Sequence, residues 1–130
     1  MKVILSIKPK YVERILSGEK KYEFRKVIFK KDVDEVIIYA SSPVKKFVAS
    51  FKIKKIIKDK PSKLWIKCNG ESGVNEIEFF EYFQNKESGY AIKITDLQEF
   101  HVPVDPQSLL KGFIAPQSFQ YCLYNLMVSI

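Results

Sequence analysis

Five consecutive apolar residues, Val36-Ile37-Ile38-Tyr39-Ala40, constrain this chain more than any other feature. The run is too short for a buried helix and shows no alternation, so it reads as a strand covered by protein on both faces. Ser41-Ser42-Pro43 closes it. The next segment is patterned differently. From Lys46 to Ile57, Phe47, Ala49, Phe51 and Ile53 point one way, while Ser50, Lys52 and Lys54 point the other. The apolar phase then jumps to Ile56, which requires an irregularity near Lys54-Lys55. A β-bulge there curls a small sheet toward a barrel.

The flanking segments supply short helices and further strands. Val3 to Ile7 reads as a strand. Pro9 suits a first helical turn, Tyr11, Val12, Ile15 and Leu16 recur at helical spacing, and Gly18 follows as a stop, which predicts a helix over 9–17. From Lys20 to Lys26 the period is two. Pro61-Ser62-Lys63-Leu64-Trp65 opens a second helix near 62–68. Asn75-Glu76-Ile77-Glu78 reads as a capped start for a third over 75–84, with Ile77, Phe79, Phe80 and Phe83 facing inward. Gly89 to Ile94 is a strand running on toward Phe100, and Gln117 to Tyr121 is predicted to be a short helix. The fold class expected is α+β, with a bent β-sheet and short flanking helices. A chain of 130 residues makes one domain, 1–130. Its expected core includes Val3, Leu5, Ile37, Phe47, Phe51, Trp65, Phe80 and Ile92.

Scarce residues exclude whole classes of chemistry. His101 is the only histidine, and Cys68 and Cys122 are the only cysteines, so at most three nitrogen or sulfur ligands exist for a structural zinc. No metal and no cofactor is expected. Two cysteines without CxxC spacing read as buried thiols in a reducing compartment. His101 suits a structural place as readily as a catalytic one. The phosphate-cradling GxGxxG and GxxxxGK[ST] patterns are absent. Without an apolar run of ~18 residues no membrane span is expected, and the N-terminal apolar stretch is too short for a secretory signal. A cytoplasmic protein is the expectation.

Charge is unevenly spread. The net is +7, but residues 1–60 carry 17 Lys and Arg against 7 Asp and Glu, while residues 61–130 carry 5 against 8. The basic half suits a polyanion. Two arginines among the 22 basic residues argue for backbone attraction over base-edge readout.

One octapeptide concentrates chemistry: Gly18-Glu19-Lys20-Lys21-Tyr22-Glu23-Phe24-Arg25. Gly18 frees the backbone to turn, and Lys20 at the mouth of that turn can reach a phosphate. Glu23 and Arg25 share a strand face, where the carboxylate can accept from a base and the guanidinium can fork onto phosphate. Tyr22, Tyr39 and Tyr90 are candidate stacking surfaces. Lys8, Ser41, Lys52 and Lys54 complete the candidate ligand-binding set, and Lys20 and Glu23 are the candidates for any catalysis.

The octapeptide matches G-x-K-x-x-E-x-R, and the chain resembles the ASCH family, which is similar in fold to PUA domains. Leu5-Ser6-Ile7-Lys8-Pro9, Trp65, Tyr82-Phe83, Gly89-Tyr90-Ala91-Ile92 and Pro116-Gln117-Ser118-Phe119 resemble its other landmarks. The resemblance implies a pseudobarrel with a cleft beside the motif that binds RNA or a nucleoside. It also implies enzymatic alternatives. Some members are amidohydrolases of N4-acetylcytidine with a threonine three residues after the motif lysine, where this chain has Glu23. Others are ribonucleases, and a further alternative is a protein-interaction module in transcriptional regulation.

Overall fold

The computed structural model describes residues 1–122, so 123–130 of the expected domain lie outside the described residues. In chain order the elements are β1 (Lys2–Ile7), α1 (Pro9–Leu16), β2 (Tyr22–Arg25), β3 (Glu35–Ala40), β4 (Lys46–Asp59), α2 (Pro61–Lys67), α3 (Glu76–Tyr82), β5 (Gly89–Val104), α4 (Pro106–Leu109) and β6 (Phe119–Cys122). The strands form one mixed sheet in the order β2-β5-β4-β3-β1-β6. β1 and β3 pair in parallel, and the other pairs are antiparallel.

The unbroken apolar run is explained by two cores. Val36, Ile38 and Ala40 pack with Val3, Leu5, Ile7, Val12 and Ile15 on one face of the sheet. Ile37 and Tyr39 pack with Ile4, Phe47 and Phe100 on the other. A third cluster joins Tyr22, Phe24 and Ala91 to Leu64, Cys68, Phe79 and Phe83 of the α2–α3 region. Both cysteines are buried, and His101 is exposed.

The sheet curls where the apolar phase slips. Register passes from Ile53↔Ile94 to Lys55↔Lys93, which leaves Lys54 as the extra residue. A second slip, from Ser50↔Gln98 to Lys52↔Thr95, puts the surplus on β5, where Asp96 takes φ 48°. Each bulge sharpens local twist, and the result is a curled half-barrel, the α+β architecture expected. Among the described residues no helix is long and apolar enough to cross a membrane.

Three expectations need correction. Residues 117–121 are not helical: Phe119–Cys122 is a strand, paired Leu5↔Phe119 and Val3↔Tyr121. Its period of two spans too few residues to stand out in the sequence. On α3, Ile77 is 72% exposed and Phe80 37%. With Phe79 seated inward, Ile77 lies about 200° round the helix and Phe80 about 100°, so a single-turn contact buries neither. Trp65 is half-buried, its ring 5.2 Å from Phe79 and 6.1 Å from Phe80, at the rim of the third cluster.

Candidate functional site

The motif begins where α1 ends. Gly18 takes φ 85°, and the Lys20 N–H donates to the Arg14 carbonyl at 2.8 Å, which turns Lys20 inward. Its side chain is 3% exposed, so it is not the free ammonium expected at the mouth of the turn. Nζ donates to the Ser72 carbonyl at 3.2 Å, lies 3.9 Å from Glu23 Oε1 and sits 4.5 Å from the Phe24 ring centroid. Burial pulls the Lys20 pKa down to about 8, against the opposing pull of Glu23. The loop between α2 and α3 lies directly on this lysine. A Cβ at Gly73 would overlap the Lys20 stem, and Gly73 itself holds φ 66°.

Glu23 and Arg25 do share a face, with Arg25 Nη2 at 3.0 Å from Glu23 Oε2. The guanidinium is not a free fork, however. Nη2 also donates to the Ser6 carbonyl at 2.8 Å, and Nη1 reaches the carbonyl and hydroxyl of Ser118, each at 3.4 Å. Arg25 Nε is buried with no acceptor. β2 and β6 stand at opposite ends of the strand order, yet Arg25 of β2 touches β1 and the residue that precedes β6.

Beside this bridge opens a cleft of about 860 Å³. Of the sequence-derived candidates, Lys8, Lys20, Glu23, Arg25, Tyr39 and Ser41 line it. Tyr22, Tyr90, Lys52 and Lys54 do not. Tyr22 is buried in the third cluster under the Lys93 ammonium, and Lys52 and Lys54 are exposed along β4. Tyr39 is itself 6% exposed and packs against Phe47 and Phe113, which leaves little of its face for stacking.

Sequence reasoning missed several wall residues: Tyr11, Ser42, Lys45, Glu78, Tyr82 and Ser118. The loop after a fully buried strand was the available signal, since side chains at strand ends are held by the scaffold yet open to ligand. Lys45 in that loop takes φ 55°, a left-handed conformation that costs a non-glycine residue about 1–2 kcal/mol. Glu78 is anchored on all sides. It accepts from the Asn75 N–H and from Arg14, both at 3.2 Å, and from Tyr11 Oη and Lys10 Nζ, both at 3.4 Å. These donors, the Asn75 N–H foremost, hold its carboxyl below the usual range. Among the described residues no three His, Cys, Asp or Glu side chains group to hold a metal ion. Cations, hydroxyls and aromatic faces around one concavity suit an anionic ligand that carries a ring.

Comparison with known proteins finds relatives in both sequence and fold. The ASCH domain family model matches residues 5–100. The chain is 30% identical over 125 residues to an ASCH domain-containing ribonuclease of Zymomonas mobilis subsp. mobilis, with 91% of this chain and 82% of that protein covered. It is 29% identical over 122 residues to an ATP synthase subunit alpha of Ureaplasma parvum serovar 3, where the match spans 92% of this chain but 15% of that protein. The crystal structure of ASCH from Zymomonas mobilis superposes with a TM-score of 0.85 at 26% identity, covering 93% of this chain and 87% of that one. A Tyr-to-Phe mutant of the Zymomonas protein gives the same TM-score of 0.85 at 25% identity, covering 93% and 89%.

Proposed function

The chain belongs to the ASCH domain family, and from that premise we propose that it binds RNA, with one nucleotide seated in the cleft beside the motif. The observation that carries this reading is the composition of the cleft wall: Lys8, Lys20, Lys26, Lys45 and Arg25 surround a space also lined by Tyr11 and Tyr82. Cations supply attraction for the phosphate backbone, and aromatic faces supply sequence-tolerant stacking. The test is fluorescence anisotropy with a labelled single-stranded RNA. Tyr82→Ala and Lys45→Gln should each weaken binding at least fivefold while the protein stays folded. Unchanged affinity in both would remove the cleft from the binding surface.

A second reading, cleavage of the bound RNA, is favoured by the name of the Zymomonas relative. Phosphodiester transfer needs a proton acceptor for the attacking hydroxyl and positive charge beside the developing phosphorane. Lys20, with its pKa near 8, is neutral in about a tenth of molecules at pH 7. Lys45 lines the same cleft and supplies charge. On this reading the cleavage rate climbs with pH up to about 8, and Lys20→Arg, which stays protonated, abolishes it. A gel assay across pH 6 to 9 reads both outcomes. The deacetylase reading finds less support, because Glu23 stands at the threonine position and is engaged by Arg25.

A further inference from the structure

At the corner of the cleft where β1 gives way to α1, four donor side chains stand without a bonding partner among the described residues. Lys8, Ser41, Ser42 and Lys45 all line the cleft. Among the described residues, none of the four side chains makes a hydrogen bond or an ion pair. The backbone nonetheless fixes where they are. The Ser41 N–H donates to the Ile7 carbonyl at 3.0 Å, which sets the loop after β3 against the start of α1, and the Val44 N–H closes back onto Ser41 at 3.2 Å. Lys45 is held at φ 55° in that loop, a strain with no internal contact of its side chain to offset it.

Lys8, Ser42 and Lys45 are exposed and so open to a ligand, and two features add to the positive character of this corner. α1 starts at Pro9 with Lys8 as its N-cap, and no side chain caps its first-turn amides. Pro9 has no N–H, and the Tyr11 and Val12 N–H groups donate to the Lys8 carbonyl. The helix therefore offers partial positive charge and one unmet N–H, that of Lys10, beside Lys8. Independently, Arg25 on the same cleft wall is 8% exposed, donates to Ser6 two residues before Lys8, and keeps a buried Nε with no acceptor. Arg25 makes its bonds within the protein, to Glu23, Ser6 and Ser118, and adds positive charge to the wall beside Lys8.

We propose that this corner is the phosphate subsite of the cleft. It receives the anion on the Lys10 N–H of α1, the hydroxyls of Ser41 and Ser42, and the ammoniums of Lys8 and Lys45. Tyr82, 38% exposed, is left for the base. The inference rests on the RNA reading and sharpens it: the ligand is a nucleotide, bound through its phosphate, and a bare nucleoside is a poor one.

The experiment titrates isotope-labelled full-length chain with inorganic phosphate, cytidine monophosphate and cytidine by NMR, with labelled RNA binding measured separately. Inorganic phosphate should saturably shift the amides of Lys10, Ser41 and Ser42. The monophosphate should bind at least tenfold tighter than the nucleoside. Lys8→Gln combined with Lys45→Gln should bring that ratio close to one, and Ser41→Ala with Ser42→Ala should weaken phosphate several-fold. Absence of phosphate shifts at this corner, or a wild-type ratio near one, overturns the proposal, and both are read on the unaltered protein. If RNA binds while phosphate leaves the corner unmoved, the subsite falls and the RNA reading stands. If phosphate binds there but RNA does not bind, the RNA reading falls and the subsite stands.

Discussion

Lys20 holds its proton less tightly in the folded protein than in the unfolded chain. Its folded pKa is about 8 against the ordinary 10.5. Below pH 8 both states carry the proton, and the full cost of burying the charge falls on the folded state. Between pH 8 and 10.5 the unfolded chain keeps the proton that the folded chain has shed, so stability rises with pH through that window. Lys20→Met should therefore stabilise the protein by at least about 1 kcal/mol at pH 7, with the advantage shrinking toward pH 10, while it weakens RNA binding. Urea denaturation at several pH values checks this. Arg25 is the opposite case. It holds Glu23 at 3.0 Å and Ser6 at 2.8 Å, so Arg25→Ala leaves the buried carboxylate with only the Lys20 ammonium at 3.9 Å. The expected loss is about 3–5 kcal/mol by denaturant unfolding. That places Arg25 first among the supports of the site, where its position in the motif had suggested direct contact with ligand. The motif was legible because its spacing puts Glu23 and Arg25 on one strand face. The burial of Lys20 was not, because it depends on Ser72 and Gly73, more than fifty positions away in the chain.

The loop joining α2 to α3 is the element that decides whether Lys20 stays inside. Gly73→Ala adds a methyl that meets the Lys20 stem at a position already in the left-handed region, so two penalties combine. We expect a loss of more than about 2 kcal/mol and a Lys20 pKa that moves up toward 10.5, read by NMR titration of the ammonium-bearing carbon. The start of α3 is set by a reciprocal cap, with Glu78 N–H on Asn75 Oδ1 at 2.8 Å and Asn75 N–H on Glu78 at 3.2 Å. Asn75→Ala should cost about 1 kcal/mol by thermal unfolding and leave the cleft intact. That cap, the buried β3 and the bulge at Lys54 were all readable, because each is a local pattern with a local cause. β6 was not, because its strand identity comes from pairing with β1 at the other end of the chain.

Across the whole molecule the basic half divides in two. Lys8, Lys20, Arg25, Lys26 and Lys45 gather at the cleft, whereas Lys52 and Lys54 stand apart on the outer stretch of β4. The composition gave the excess charge but not this partition, which follows from where β4 runs after its bulge. Neutralising Lys52 and Lys54 to Gln should lower affinity for all polyanions alike. The slope of log affinity against log salt should flatten by roughly 0.7 for each phosphate of a single strand that is no longer neutralised. Affinity for a mononucleotide should not change, and anisotropy across a salt series distinguishes the two effects.

The Arg25 bridge gives the curled sheet the mechanics of a split ring. A closed barrel has its girth set by an unbroken circuit of backbone hydrogen bonds, so widening it breaks a ladder. Among the described residues the circuit stops at β2 and β6. Arg25 reaches from β2 across the gap to Ser6 of β1 at 2.8 Å and to Ser118 at 3.4 Å. The loop after β2 is also tied to β6, where Tyr121 Oη accepts from the Lys30 and Lys31 N–H groups. The longer bonds are the weaker, so the ring yields first at Ser118. Release of Ser118 leaves the 2.8 Å bond to Ser6, so Arg25 keeps its hold across the gap until that bond also parts. The width of the cleft beside this fastener is thus held by side-chain bonds, where a closed barrel would hold it by a backbone ladder.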